Sequence, residues 1–371
     1  MSKCIALDGR LLAWPGIGRY LQELSQALVL EAPDFHFRWI SRASEVDRWP
    51  VGDRARALVA PFEPLTITEQ RRWRGWIRQQ GIDLWHSPVA HHIPWLGGTP
   101  LVVTMHDMIL HRMPSLAPGA AGYLYYRIAN AIAMRRARAV VCISQATWDD
   151  VHSIWPASKA RLHVVHHGIS SKFQALPDKS VVTSLRQRFA LPRSYLLYVG
   201  TCKPHKNLPR LLEAYAALPE ALRDDCPLVL LVKLRDRNPQ ADAAAQRFRL
   251  GPWLRWIEGL DETELIALYS GARAVVLVSP IEGWGMPVTE AMACGTPSVV
   301  TAGSAQAEAA GVSGLTCDAY NVESIRAALQ TILLDDALHE RLARAALARA
   351  AEFDWLATAR AVAQIYRDVL K

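Results

Sequence analysis

A chain of 371 residues, 51% hydrophobic and with a mean hydropathy of +0.04, is globular and too long for one ordinary core. No apolar run reaches the roughly 18 residues of a membrane span, the start MSKCIALDGRLL lacks a basic stretch leading into an apolar one, and the six cysteines include no C-x-x-C pair. These features speak against an integral membrane protein, a secretory leader and a cysteine-ligated zinc, and for a cytosolic chain with reduced thiols. The net charge of +7 is uneven: residues 1–180 hold 21 Lys/Arg against 14 Asp/Glu, whereas the remainder is neutral. A basic first half suits an anionic partner, such as a phosphate-bearing substrate or a lipid headgroup. No recognised nucleic-acid-binding motif accompanies it, so no nucleic-acid partner is expected.

In chain order, CIALDG (4–9) predicts a strand. GIGRYLQELSQALVLEAP (16–33) predicts a helix, with Tyr20, Leu21, Leu24 and Leu28 at helical spacing. FHFRWIS, IDLWHSP, PLVVTMHD and AVVCISQ predict further strands, and HVVHHGIS (163–170) closes this half. Residues 171–192 read as a linker. YLLYVGT, PLVLLVK, LRWIEGL, AVVLVSP and TPSVVT then predict a second set of strands alternating with helices. Such alternation means parallel, doubly wound sheets. The expectation is an α/β protein of two Rossmann-like domains, residues 1–180 and 190–354, facing across a cleft, with ligands at the strand carboxyl ends.

The richest stretch is EGWGMPVTEAMACGTP (282–297). A buried strand (272–280) precedes it, and PVTEAMAC predicts a helix with Pro287 in the first turn, where its missing N–H is harmless. Gly283 and Gly285 let backbone amides of the turn, with Trp284 and Met286, approach an anion or a polyhydroxy ligand. Glu282 stands at the mouth of the turn and Glu290 about one turn into the helix. Two carboxylates in one crevice suit two vicinal diols, a sugar and a ribose. This E-x7-E element resembles the signature of the retaining glycosyltransferases of family four, which have the GT-B fold.

VGTCKPHKNLPRLLEAY (199–215) places Lys203, His205 and Lys206 in a turn between strand and helix, where basic groups meet a diphosphate. It resembles the family's VGTxxPRKNLxxLLxA. The resemblance assigns Lys206 to the donor diphosphate. His205 stands where arginine is usual, and Lys203 where an acidic residue is common, so Lys203 is available to supply the missing charge. PLVVTMHD brings His106 to a strand end, where the resemblance sets it beside donor sugar and acceptor. Gly16 and Gly18, in DGRLLAWPGIGRY (8–20), stand just before a helix, where backbone amides can approach the donor; they resemble the family's GxGRY segment and border the cleft, with Arg19 directed at donor phosphates, at acceptor or simply at solvent. His86, in WHSP, reads as a packing or loop residue.

Residues 69–80 interleave Arg71, Arg72, Arg74 and Arg78 with Trp73, Trp76 and Ile77. Two readings stand: an interfacial helix resting on anionic lipid, or a domain helix whose tryptophans face the core. YYRIANAIAMRRARA (125–139) is a second basic segment. Two departures from the family pattern matter. SAQAE (304–308) replaces SLPE, which puts donor contacts by Ser304 or Glu308 in doubt. Lys233 and Arg235 replace the usual glycines after their strand. No D-x-D occurs, so no metal is expected, and Lys206 with helix amides takes its place.

The resemblance implies transfer of a hexose from a nucleotide diphosphate sugar, as substrate rather than cofactor, to a hydroxyl with retention. GDP-mannose is the first donor choice. The acceptor is a lipid-linked saccharide at the inner face of a bacterial membrane, in surface-polysaccharide or lipopolysaccharide assembly. The resemblance also implies that the helix at about 355–371 packs back on the first domain. A GT-B nucleotide-sugar epimerase and a catalytically weak GT-B scaffold are the alternatives.

Overall fold

The computed structural model describes residues 2–14, 16–62, 66–95, 98–176, 180–233 and 239–371. The chain divides into two compact units, residues 1–168 with 353–371, and residues 169–352. The first unit thus ends earlier than position 180. Helix Ser180–Phe189, inside the expected linker, buries Val182 and Leu185 within the second unit.

The first unit is built on β1 (Lys3–Asp8), β2 (Phe35–Ser41), β3 (Ala55–Val59), β4 (Leu84–Ser87), β5 (Leu101–Met105), β6 (Ala139–Cys142) and β7 (Leu162–Val164). All pair in parallel, in the order β3-β2-β1-β4-β5-β6-β7. Side chains of a strand alternate between faces, and β1 shows the result. Ile5 and Leu7 join a core layer with helix Ile17–Glu31 and the C-terminal helix Trp355–Leu370. Cys4 and Ala6 join the opposite layer with Trp73, Trp85 and Met134.

The C-terminal helix belongs to this unit by several contacts. Val362, Ala363 and Tyr366 are buried against the first helix's layer. The Tyr366 hydroxyl lies 2.5 Å from Nδ1 of His86, and Arg367 donates twice to Asp34, at 2.9 and 2.8 Å. His86 is therefore a strand residue inside a buried polar chain, since its Nε2 meets the Thr104 hydroxyl at 2.8 Å.

Helix Ile67–Gln79 decides between its two readings. Trp73 and Ile77 are 0% and 2% exposed, in the core, and Trp73 meets Trp85 edge-on at 4.7 Å. Trp76 is half-buried beside Phe62. The tryptophan face is thus spent on the interior, which corrects the lipid assignment of Trp73 and Trp76; Arg71, Arg72, Arg74 and Arg78 face water, with Gly75 and Gln79. An indole gains more from burial in a close-packed core than a partly polar interface returns.

The second unit comprises β8 (Leu196–Val199), β9 (Leu228–Leu231), β10 (Leu254–Ile257), β11 (Ala274–Leu277), β12 (Ser298–Thr301) and β13 (Gly314–Cys317). These are also parallel, in the order β10-β9-β8-β11-β12-β13. Central strands are continuous apolar runs, as burial on both faces requires. All six cysteines are free and buried.

Candidate active site residues

In the second unit the strand order reverses between β8 and β11. Loops leave in opposite directions at such a switch point, and the crevice between them is where open α/β sheets bind ligands. Both motif stretches emerge there. The turn after β8 ends at Asn207, in the left-handed region at φ 59°. Its Nδ2 donates to the carbonyls of Val278, at 3.0 Å, and Ala319, at 2.7 Å. This stitches the basic turn to the chain leaving β11.

That stitch brings Lys206 to Glu282, with Nζ 2.5 Å from Oε1. The side chains are 18% and 10% exposed, so the pair is shielded but reachable. Gly285 has φ 97°, and a Cβ there would also meet Cγ of Gln306 at 2.9 Å, so only glycine fits this turn. Helix Met286–Ala293 follows, with Pro287 in its first turn. Glu290 is buried, and the Tyr269 hydroxyl donates to its Oε2 at 2.7 Å. Trp284 is 3% exposed and packs inward, so its ring serves the fold of the turn, and Gly283 is buried beside it. Met286 is half-buried at the helix start.

His205 is buried, and burial first, then Lys206 and Lys203, pushes its imidazole down to about 4, against an opposing pull from Glu282. It is neutral at pH 7 and cannot replace an arginine's charge. Positive charge at this turn comes from Lys206 and from Lys203, which is exposed. Ser304 spends its hydroxyl locally, donating to the Thr301 carbonyl at 2.6 Å and accepting from the Ala307 N–H at 3.3 Å as a helix cap. Lys233 is exposed, and Arg235 lies outside the described residues.

The first unit has its own reversal, between β1 and β4. Gly16, at φ 81°, caps the helix that follows the β1 loop. Gly18 lies against the Leu12 carbonyl, which a Cβ would meet at 2.0 Å, and its N–H donates to the Trp14 carbonyl at 2.7 Å. Its amide is consumed inside the loop, which corrects the expectation that it approaches a ligand. Arg19 is half-buried in the first turn of the helix.

His106 follows β5. Burial pushes its imidazole down to about 4, partly offset by a hydrogen bond to the Pro88 backbone. Its Nε2 is buried without a partner among the described residues. The other nitrogen therefore carries the proton toward Pro88, and Nε2 is left as a buried acceptor.

Sequence reasoning missed three features. Tyr269, which fixes Glu290, sits on a helix that only topology brings to the site, and Asn207 lies within the basic motif, but its stitch to Val278 and Ala319 has no local mark. The third is a buried charge cluster at the end of β1. Arg10 donates Nε and Nη2 to Asp8, at 2.9 and 2.7 Å, and its Nη1 is 2.6 Å from Oε1 of Glu69. His92 lies 3.0 Å from Arg10 and 3.3 Å from Glu69. All four are at most 2% exposed. Asp8 and Arg10 flanking a glycine after an apolar strand were the available signal.

Two parallel sheets, each with a ligand-type switch point, are the architecture of the GT-B fold. Family models agree: "Glycosyltransferase Family 4" matches residues 14–173 and "Glycosyl transferases group 1" matches residues 184–349. Together they span most of the chain, which belongs to the glycosyltransferases built from these two domains. The chain is 27% identical over 362 residues to the O-antigen chain mannosyltransferase B of Escherichia coli, covering 92% of each chain. Among solved structures it is similar to sucrose-phosphate synthase of Thermosynechococcus elongatus, with a TM-score of 0.78, 20% identity, and 99% and 98% of the two chains covered. It is also similar to Anabaena HepE in complex with UDP-glucose, with a TM-score of 0.75, 17% identity, and 98% and 99% covered.

Proposed function

We propose that this glycosyltransferase moves a hexose, mannose first, from a nucleotide diphosphate sugar to a hydroxyl of a saccharide or lipid-linked saccharide acceptor, with retention. The observation that carries the reading is the Lys206–Glu282 pair beside buried Glu290 at the second unit's switch point. Without ligand, each charge neutralises the other. With donor bound, Glu282 accepts hydrogens from sugar hydroxyls, Lys206 turns to the diphosphate, and Glu290 accepts the ribose diol. The carbon–oxygen bond to the diphosphate breaks, and the acceptor oxygen bonds to the same carbon on the same face. The acceptor proton passes to the departing phosphate oxygen, and Lys206 stabilises the charge that develops there. No metal step is needed, because a lysine and turn amides meet the diphosphate.

Mannose and an O-antigen-type saccharide are favoured by the 27% identity to an O-antigen chain mannosyltransferase. The UDP-glucose complex of a structural neighbour makes UDP-glucose the leading rival donor. A weak scaffold is favoured only by neutral, buried His205.

No helix among the described residues is long and apolar enough to cross a membrane. We assign membrane contact, on the inner face of the cytoplasmic membrane, to helix Gly119–Arg136 rather than to the buried tryptophans. Leu124 and Ile128 are 60% and 46% exposed one turn apart, with Arg127 and Arg135 exposed on the same helix. Apolar side chains flanked by cations suit an anionic lipid surface, and flotation with anionic vesicles, lost on neutral ones, tests it.

The deciding experiment for donor use is calorimetry with GDP-, UDP- and ADP-sugars on wild type and Glu290→Ala, with and without chelator. One donor should bind selectively, indifferent to chelator, and Glu290→Ala should weaken it about tenfold or more, the effect of losing a charged hydrogen-bond acceptor. Binding of no nucleotide sugar would sink the donor-site reading and promote the scaffold.

A further inference from the structure

The loop leaving β1 displays a side chain that the donor chemistry does not use. Trp14 keeps 43% of its surface in water. Such an indole is expensive to leave wet, because aromatic side chains carry large apolar area.

Its backbone is nevertheless fixed on both sides. Arg10 is locked into the buried cluster with Asp8 and Glu69. Leu11 and Leu12 are each 2% exposed. The Trp14 N–H donates to the Leu11 carbonyl at 2.9 Å, and its carbonyl accepts from Gly18 at 2.7 Å. Between Gly9 and Trp14 only Ala13 and Trp14 are exposed. The loop is thus anchored from within and shows one aromatic ring. A ring carried on a fixed backbone costs no loop ordering on binding, which favours an aromatic anchor.

Position and charge select the ligand. The loop leaves the carboxyl end of β1, at the reversal between β1 and β4, where open sheets receive ligands. The only charged group in residues 9–14, Arg10, is turned inward, so that stretch displays no charge, and the next cation along the chain, Arg19, is half-buried on the following helix. A lipid headgroup would want a cation there. A pyranose is neutral and carries a face of C–H bonds, whose positive edge suits the negative face of an indole.

We infer that Trp14 is a stacking platform for a neutral pyranose ring of the acceptor saccharide. The inference rests on the glycosyltransferase reading above and adds the acceptor-side contact to it.

The test compares wild type, Trp14→Ala and Trp14→Phe on immobilised neutral oligosaccharides ending in mannose, rhamnose, glucose, galactose or N-acetylhexosamine. Nucleotide-sugar binding, flotation with anionic phosphatidylglycerol vesicles and thermal stability are measured in parallel. Wild type should hold at least one glycan. Trp14→Ala should weaken it by about tenfold or more and Trp14→Phe by no more than about threefold, as for loss or trimming of an aromatic contact. Nucleotide-sugar binding and melting temperature should not move. The inference is overturned if wild type holds none of the glycans, if Trp14→Ala holds them as well as wild type does, or if Trp14→Ala loses vesicles instead. Failure of wild type to bind any nucleotide sugar is a separate result and defeats the transferase reading alone.

Discussion

The two units share a topology and use their charges in opposite ways. Each has a parallel sheet whose strand order reverses, and at each reversal a cation meets carboxylates. In the second unit the pair is Lys206 with Glu282, part-exposed and one-to-one. In the first, Arg10 sits between Asp8 and Glu69, wholly interior. A reachable pair can trade its internal partner for a ligand. A buried cluster cannot, because each charge removed from water needs the others. On the proposed reading, the same place in the same kind of sheet serves as a binding device in one unit and as a loop clamp in the other, with burial as the difference between them.

Acid should separate the units most strongly. Burial holds His86 down at about 3 and His91 and His106 at about 4, all in the first unit, whereas His205, at about 4, is in the second. These histidines are neutral when folded and titrate near ~6.5 when unfolded. Between those values the unfolded chain binds more protons, so their contribution is complete above ~6.5 and drains away as the pH falls toward about 4. Asp8 and Glu69, held low by Arg10 and His92 against the penalty of burial, extend the loss further into acid. Peptide-resolved hydrogen exchange from pH 7 to 4 should show the first unit losing protection first, by several kcal/mol. Simultaneous loss in both units would erase the contrast.

Next in size is the clamp itself. Arg10→Ala leaves two buried carboxylates facing each other without their cation and should cost roughly 3–5 kcal/mol in chemical denaturation. Replacing Asp8, Arg10 and Glu69 together by apolar residues of similar volume should recover much of that. A cost below about 1 kcal/mol, the value of a surface pair, would mean that the cluster does not hold the loop.

What could be read beforehand follows the same division between interior and edge. β8 and β11 are uninterrupted apolar runs, and β1 and β5 are broken only by Lys3, Asp8 and Thr104, so all four were plain. The strands that were not foreseen, β3 (ARALV) and β13 (GLTC), are the last of their sheets, half-covered and broken by Arg56 or Gly314. An edge strand needs less apolar surface, so its signal is weaker. Trp73, Trp76 and Ile77 shared a legible face, but an apolar stripe has the same period whether it meets lipid or core. Lys206 and Glu282 were each visible as motif residues. Their contact spans 76 positions and exists because β8 and β11 are neighbours. Tyr269 had no local mark at all, since only packing carries its hydroxyl to Glu290.

Lys206→Met sharpens the comparison from the other side. Methionine keeps the length and apolar stem of lysine and removes only the charge. If the pair exists to be exchanged for a ligand, its loss should fall on transfer, by roughly 10²–10³ in kcat, the usual effect of deleting one transition-state charge donor. Stability should fall by less than for Arg10→Ala, because Glu282, 10% exposed, can recruit water once unpaired. Turnover and denaturation measured on both variants therefore form a cross. Lys206→Met should be stable and slow, Arg10→Ala unstable with nucleotide-sugar binding retained in whatever fraction stays folded. If Lys206→Met instead unfolds as readily as Arg10→Ala while keeping its turnover, the Lys206–Glu282 pair is a second clamp, and the diphosphate must be held by Lys203 and the turn amides.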